Sequence, residues 1–229
     1  ECGLCESVCP ANAVNREQQP EEIELDVGAI VLAVGFDMFD PSVIPQYGYK
    51  RFKNVITAME LERLLCASGP TGGRLIRPSD GKIPRSVAFI QCIGSRDRRE
   101  WINHPYCSSI CCKYAVKDAV LIKEHEPNSR VSIFYIDMRA FGRGFQEFVN
   151  RAKSEFGIEF IRSSPGEISE DPATKNLTIW FEDIITRTVK RLPFDLIVLC
   201  TALIPRKGVE DVAKTFGVEL DNYGFFKSV

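Results

Sequence analysis

Four cysteines crowd the stretch Gln91–Lys113, which reads QCIGSRDRREWINHPYCSSICCK. They are Cys92, Cys107, Cys111 and Cys112. We expect the protein to be cytoplasmic, where thiols stay reduced, so this crowding favours a metal over disulfide bridges. Zinc also binds four thiolates, but its usual sites pair two CxxC motifs, and none occurs between residues 92 and 112. The stretch predicts an iron–sulfur site, with structural zinc and plain core packing as the alternatives.

The elements that would position these cysteines are a strand and the helix after it. Ser86–Gln91 has the apolar character of a buried strand, and Ser108–His125 follows as a helix. In a nucleotide-binding βαβ unit the intervening turn is rich in glycine, so that it cradles a pyrophosphate at the helix N-terminus. Here the turn is longer and has only Gly94. We therefore expect the positive end of the helix to stabilise a thiolate-ligated cluster instead of a phosphate.

A second cysteine motif, ECGLCESVCP, opens the chain. Its thiols are Cys2, Cys5 and Cys9. The spacing matches the later part of the bacterial ferredoxin run C-x2-C-x2-C-x3-C-P, whose thiolates hold [4Fe–4S] clusters. Because the first cysteine of that run would precede Glu1, we expect the chain to be an internal segment of a longer protein. Ala11–Val14 and Ile23–Leu25 are predicted as the closing turn and strand of this ferredoxin module.

The rest of the sequence predicts an α/β protein built on a parallel, Rossmann-like sheet. Two apolar runs have the composition of strands buried on both faces, Asp26–Asp37 and Phe194–Thr201. A β-α-β-α-β order continues from the cysteine helix, and a helix with a capping box precedes it. The predicted segments are helices Thr57–Ser68 and Phe145–Phe156, strands Arg130–Ile136 and Ile158–Ile161, and a hairpin of Leu177–Glu182 with Thr186–Leu192. Cys66 and Cys200 are predicted as packing residues.

Composition excludes two classes of partner. The net charge of −2 and the pI near 5.9 give no electrostatic reason to expect nucleic acid binding. No apolar run approaches the roughly 20 residues that a membrane-spanning helix needs. We therefore expect neither nucleic acid nor a direct membrane span.

The order of motifs CGLCESVCP, GAIVLAVGFD, ASGPTGG, IQCIGSRD, YCSSICC and FYIDMRAFGRG resembles the heterodisulfide reductase A-subunit family over nearly the whole chain. The resemblance implies a partial two-dinucleotide-binding flavoprotein fold like that of thioredoxin reductase, with the end of a ferredoxin-like insert. The implied domains are residues 1–25 of the insert, 26–84 of the FAD-binding domain and a linker, 85–200 as a degenerate NAD(P)H-type domain with the iron–sulfur site, and 201–229 returning to the FAD-binding domain.

The resemblance also implies cofactors and the residues that bind them. Cys92, Cys107, Cys111 and Cys112 would hold one [4Fe–4S] cluster, and Cys2, Cys5 and Cys9 would belong to the ferredoxin insert. FAD would lie against Val34 and Gly35, where AVGF resembles the Ala-Thr-Gly turn of such flavoproteins, and against Thr201 and Ala202. The Gly-rich FAD fingerprint and the closing Gly-Asp motif are absent, so the isolated segment is expected to be inactive and not to hold FAD.

The implied function is that of an electron-transfer subunit, which relays electrons between FAD and [4Fe–4S] clusters, in some family members with electron bifurcation. The implied partners are other subunits of a heterodisulfide reductase-type complex and an electron donor, either a hydrogenase or dehydrogenase or a ferredoxin. No residue of this chain is expected to act directly on substrate. Two alternatives stay open, a thiol/disulfide oxidoreductase that uses Cys111 and Cys112, and a zinc-stabilised scaffold without redox activity.

Overall fold

The structure is a computed structural model that describes residues 2–228, and it divides the chain into two compact units, Glu1–Val34 and Gly35–Val229. The second unit is built on a five-stranded parallel sheet. Across the sheet, the strands lie in the order β2 (Val55–Thr57), β9 (Leu196–Thr201), β3 (Ser86–Ile93), β4 (Arg130–Tyr135) and β5 (Glu159–Arg162). The predicted parallel, Rossmann-like sheet is therefore confirmed. Every residue of β9 is buried, as expected for a central strand covered on both faces.

Three helices cover one face of this sheet, and their apolar residues form one core with it. They are α2 (Ala58–Leu65), α3 (Cys111–His125) and α4 (Phe145–Ser154). The predicted capping box of α2 is present: Thr57 Oγ1 accepts from the Glu60 amide at 3.3 Å, and Glu60 Oε2 accepts from the Thr57 amide at 2.7 Å. Helix α3 begins at Cys111, three residues later than predicted, because residues 108–110 take part in the loop that precedes it.

A three-stranded antiparallel sheet covers the other face and contains the predicted hairpin. Its strands are β6 (Glu167–Glu170), β7 (Leu177–Asp183) and β8 (Thr188–Phe194). Phe134 of β4 joins the two sheets, since its ring lies 5.1 Å from that of Phe181 and 6.1 Å from that of Phe194, both nearly edge-on. The second unit also contains a short antiparallel pair, β1 (Phe36–Met38) with β10 (Leu203–Pro205), and helix α5 (Val209–Phe216).

Two predicted strands are wrong. Of the run Asp26–Asp37, only the last two residues lie in β1, whereas residues 26–35 form no strand and Val31 is 89% exposed. Ile23–Leu25 is likewise not a strand, and both apolar side chains are exposed. A buried strand needs hydrogen-bonded neighbours, and within residues 2–228 no strand pairs with residues 23–35. The apolar composition of these two segments does not determine whether another strand pairs with them.

The prediction for Cys66 is also wrong. It lies just beyond the end of α2, where its sulfur is exposed and 3.2 Å from the Ser68 hydroxyl. The first unit contains a single short helix in its described part, α1 (Leu4–Ser7), which Gly3 separates from Cys2. No helix within residues 2–228 is long and apolar enough to cross a bilayer. The predicted domain boundaries stay predictions, although β2 and β3, on either side of residue 84, share one sheet.

Candidate metal centre

All four cysteines of the 92–112 stretch line one cavity, which we call the cysteine cavity. Cys92 comes from the end of β3, Cys107 from the loop, and Cys111 and Cys112 from the first turn of α3. The space between them, including the part open to solvent, is about 300 Å³. Within residues 2–228, no three metal-binding side chains already converge on a single point. The four sulfur atoms therefore surround one cavity, but they do not converge on a single metal-binding point.

The cysteine cavity lies at the carboxyl-terminal edge of the parallel sheet, where the strand order reverses. From β3 the chain proceeds to β4 and β5 on one side, whereas β9 and β2 lie on the other. Ile93 at the end of β3 pairs with Thr201 at the end of β9, and Asp137 follows β4. In open α/β sheets, ligands bind outside the strand ends at such a switch point. The cysteines therefore occupy the place that a nucleotide takes in related folds.

A distortion of β3 places Cys92 in this cavity. The strand's register with β9 shifts between Ile90 and Ile93, and Cys92 has a φ of +63°. Side chains other than glycine rarely adopt this left-handed conformation, and a bulge redirects the side chain it contains. Gly94 completes the turn at φ +72°, where an added Cβ would lie 2.3 Å from the Phe39 ring. Only glycine fits at that position, which explains the single glycine of the turn.

Hydrogen bonds from neighbouring residues fix the loop that carries Cys107. Ser95 Oγ donates to the Tyr106 carbonyl at 2.9 Å, and Tyr106 Oη donates to the Leu203 carbonyl at 3.0 Å. Ser108 Oγ accepts from the Leu203 amide at 3.0 Å. Cys107 is therefore held between two residues that are both anchored to β10.

The environment of the four thiols suits a centre that binds them as thiolates. Burial raises the pKa of Cys92 to about 12 and that of Cys111 to about 11, and it also raises the pKa of Cys112. The free thiols of Cys92, Cys111 and Cys112 therefore stay protonated at neutral pH, and binding a metal centre releases their protons. Two backbone amides already point at sulfur, Ser109 N to Cys107 Sγ and Arg139 N to Cys112 Sγ, both at 3.4 Å. Four thiols, amide donors and a positive helix end fit a [4Fe–4S] cluster.

Charged residues around the cavity were not predicted from the sequence. Arg96, Asp137 and Arg139 all line it. Arg96 Nη1 lies 2.9 Å from Asp137 Oδ2, and Arg162 Nη2 lies 3.6 Å from Asp137 Oδ1. These two ion pairs give Asp137 a structural role. Two sequence features could have indicated these residues, the position of Asp137 just after β4 and the basic character of residues 139–143. No motif spacing indicated Arg96.

The residues that the resemblance assigned to FAD lie in two places. Val34 is half-buried and Gly35 is exposed, with a φ of +74° at Gly35. Thr201 and Ala202 are fully buried, and the Thr201 carbonyl accepts from Cys111 Sγ at 3.6 Å. The end of β9 therefore borders the cysteine cavity. FAD binding by these four residues stays a prediction.

The cysteines of the opening motif lie in the first unit and are described there alone. Cys2 and Cys5 are exposed, and Cys9 is half-buried. The Ala13 amide donates to Cys9 Sγ at 3.4 Å, and hydrogen bonds from Ala13 and Ala11 lower the pKa of Cys9. Such amide donors favour the thiolate that a cluster requires. Cluster ligation by these three cysteines stays a prediction.

We expect the Rossmann-like sheet not to bind NADH or NADPH. The end of β3, residues 91–93, carries bulky side chains where close approach of backbone to a pyrophosphate demands glycine. Cys111 and Cys112 occupy the helix N-terminus that would receive the pyrophosphate. Titration calorimetry of the folded protein with either nucleotide should show no heat of binding. A micromolar Kd would contradict this expectation.

Comparison with known proteins identifies relatives along the whole chain, although no family model matches. The chain is 49% identical over 228 residues to the iron-sulfur A-subunit of the CoB–CoM heterodisulfide reductase of Methanocaldococcus jannaschii. It is 48% identical over 225 residues to the A-subunit of the H2:CoB-CoM heterodisulfide,ferredoxin reductase of Methanothermobacter thermautotrophicus. These matches cover 100% and 98% of this chain but 34% of each relative, so the chain spans about a third of their length.

Among solved structures, the thioredoxin reductase of T. acidophilum is similar at a TM-score of 0.48 and 16% identity. This match covers 84% of the chain and 49% of that protein.

Proposed function

Because the chain is homologous over its whole length to a segment of the heterodisulfide reductase A-subunit, we propose that it is the part of an oxidoreductase subunit that relays electrons through an iron–sulfur centre. The centre is a [4Fe–4S] cluster held by Cys92, Cys107, Cys111 and Cys112. The observation that carries the proposal is the convergence of these four cysteines on one cavity at the switch point of the sheet.

Each part of the site has a role in this proposal. When bound, the cluster supplies one-electron transfer, which no side chain of this cavity performs. The buried β3 and the first turn of α3 exclude water on the protein side, and the amides of Ser109 and Arg139 stabilise the thiolates. Arg96 and Arg139 place positive charge beside a centre of net negative charge. Such charges and hydrogen bonds raise the reduction potential of a cluster and make it easier to reduce.

The further partners of the relay are also proposals. Cys2, Cys5 and Cys9 supply ligands to ferredoxin-type clusters, and FAD lies against Val34, Gly35, Thr201 and Ala202 in the complete protein. Electrons arrive from a hydrogenase or dehydrogenase or from a ferredoxin, and they leave to the other subunits of a heterodisulfide reductase-type complex. Bifurcation at the flavin belongs to the same proposal. The support for these partners is the names of the relatives, which are subunits of reductases that act on a heterodisulfide and, in one case, ferredoxin.

Two other functions fit the cysteines less well. A thiol/disulfide oxidoreductase needs an accessible thiol of lowered pKa, whereas Cys111 and Cys112 are buried and their pKa values are raised by that burial. A zinc scaffold uses the same four donors, but it does not explain why they lie at the switch point of the sheet or why Arg96 and Arg139 line the cavity.

One anaerobic preparation distinguishes the three functions. After reconstitution with iron and sulfide, the proposed relay gives a brown protein whose visible absorption is bleached by dithionite and restored by an oxidant. A colourless protein that holds zinc would support the scaffold. A metal-free protein in which Cys111 and Cys112 cycle between dithiol and disulfide would support the thiol enzyme.

A further inference from the structure

A buried carboxylate lies on the helix that begins with two of the cluster cysteines. Asp118 of α3 is completely buried, and Lys117 Nζ lies 2.9 Å from its Oδ1. Neither oxygen accepts a hydrogen bond of good geometry from residues 2–228. Asp118 follows Cys111 by seven residues, so the two lie on one face of the helix about 10 Å apart along its axis. An acidic group is therefore enclosed close to the proposed cluster.

Two protonatable groups interact with both Cys111 and Asp118. The hydroxyl of Tyr114 is buried, and it interacts electrostatically with Cys111, Cys200 and Asp118. Cys200 of β9 is completely buried and interacts with both Cys111 and Asp118. Tyr114 and Cys200 therefore connect the cluster ligand and the carboxylate electrostatically.

Asp118 is also connected to solvent. Lys117 contacts both Asp118 and Glu62 of α2, and the side chains of Lys117 and Glu62 are 43% and 40% exposed. An ammonium and a carboxylate at the surface are groups through which a proton exchanges with water. Asp118 is thus buried, but only Lys117 separates it from the solvent.

The groups facing Asp118 bring the pKa of its carboxyl close to neutral pH. Burial raises its pKa to about 7, while the neighbouring Lys117 lowers it and Glu62 raises it. Tyr114 and Cys200, which also face it, are held neutral by burial, which raises the pKa of each well above its ordinary value. An additional negative charge about 10 Å away through the protein interior therefore favours protonation of Asp118.

We propose that Asp118 takes up a proton when the cluster held by Cys92, Cys107, Cys111 and Cys112 accepts an electron, an inference that rests on the proposed function. The electron comes from a one-electron donor, a reduced flavin or dithionite, and stays on the cluster. The proton comes from water through Glu62 and Lys117, and its O–H bond forms on Asp118. Reoxidation returns the electron to an acceptor and the proton to water, so that the cluster and Asp118 together keep the same net charge in both states. Asp118 thereby compensates the negative charge that the electron adds to the cluster.

The test measures the midpoint potential of this cluster as a function of pH. Dithionite titrations of the full, reconstituted chain are followed by electron paramagnetic resonance, using the signal that Cys112→Ser removes. Between about pH 6 and about pH 9, the potential of the wild type should fall with rising pH, towards the one-electron limit of about 59 mV per tenfold change in proton concentration. Asp118→Asn should remove most of this slope, whereas Glu124→Gln, an exposed carboxyl on the same helix, should keep it.

A second variant covers the case in which Asp118→Asn fails to fold. Lys117→Met removes the cation that lowers the pKa of Asp118 and should move the sloping region to higher pH. The inference is overturned if the slopes of Asp118→Asn and wild type coincide, or if Lys117→Met leaves the sloping region in place. A protein that binds no iron at the four cysteines overturns the proposed function and the inference with it, so the two failures are distinguishable.

Discussion

Replacing Cys112 by serine should remove about four iron and four sulfide per chain from the reconstituted protein, or convert the cluster to a form with fewer irons. Cys112 is buried at the start of α3, and its sulfur accepts a hydrogen bond from the Arg139 amide, so the protein holds this ligand in place. A serine oxygen is a harder and shorter ligand than a thiolate and binds iron–sulfur clusters poorly. The same loss is expected for Cys107→Ser, although Cys107 lies in the loop and its replacement disturbs the core less.

The matched control is Cys66→Ser. Cys66 is exposed beyond the end of α2 and does not line the cysteine cavity. This variant should keep the iron count and the absorption spectrum of the wild type. Wild-type iron and spectra in both Cys107→Ser and Cys112→Ser would show that the ligand assignment is wrong.

Replacing Phe134 by alanine should lower the free energy of unfolding by about 3 to 5 kcal/mol, the usual cost of deleting a buried aromatic side chain. Phe134 is fully buried and packs against Phe181 and Phe194, so its ring holds the antiparallel sheet against the parallel one. The loss is a large part of the roughly 5 to 15 kcal/mol that stabilises a typical protein. Urea unfolding followed by circular dichroism measures it.

The control for this substitution is Phe141→Ala. Phe141 is 56% exposed and contacts Lys113 through its ring face, so its removal should change stability by no more than about 0.5 kcal/mol. Equal urea midpoints for the two variants would contradict the packing of the two sheets described here.

The elements that the sequence predicted well are those whose signal is local. Strands β3, β4 and β9 are short segments rich in apolar residues, and the capping box marks the start of α2. The cysteine site was predictable for the same reason, since all four thiols lie on one strand, one loop and one helix start. Proximity in sequence there guarantees proximity in space.

The misses have a long-range origin. The run at residues 26–35 is apolar enough for a buried strand, but a strand forms only where a neighbour accepts its hydrogen bonds. Arg96 reaches the cysteine cavity through a loop whose path depends on anchoring to Leu203, over ninety residues away. Asp118 next to Lys117 has the sequence of an ordinary charged pair on a helix. Only the packing of α3 against β9 shows that it is buried.

The most direct test of the relay is an iron, sulfide and zinc analysis of a variant in which Cys2, Cys5 and Cys9 are all serine. With the opening motif removed, any cluster that remains belongs to the cysteine cavity, whose ligands all come from one strand, loop and helix of the second unit. After anaerobic reconstitution, we predict about four iron and four sulfide per chain, without zinc. A variant that folds but holds no iron, or holds zinc in its place, would contradict the iron–sulfur centre on which the proposed function depends.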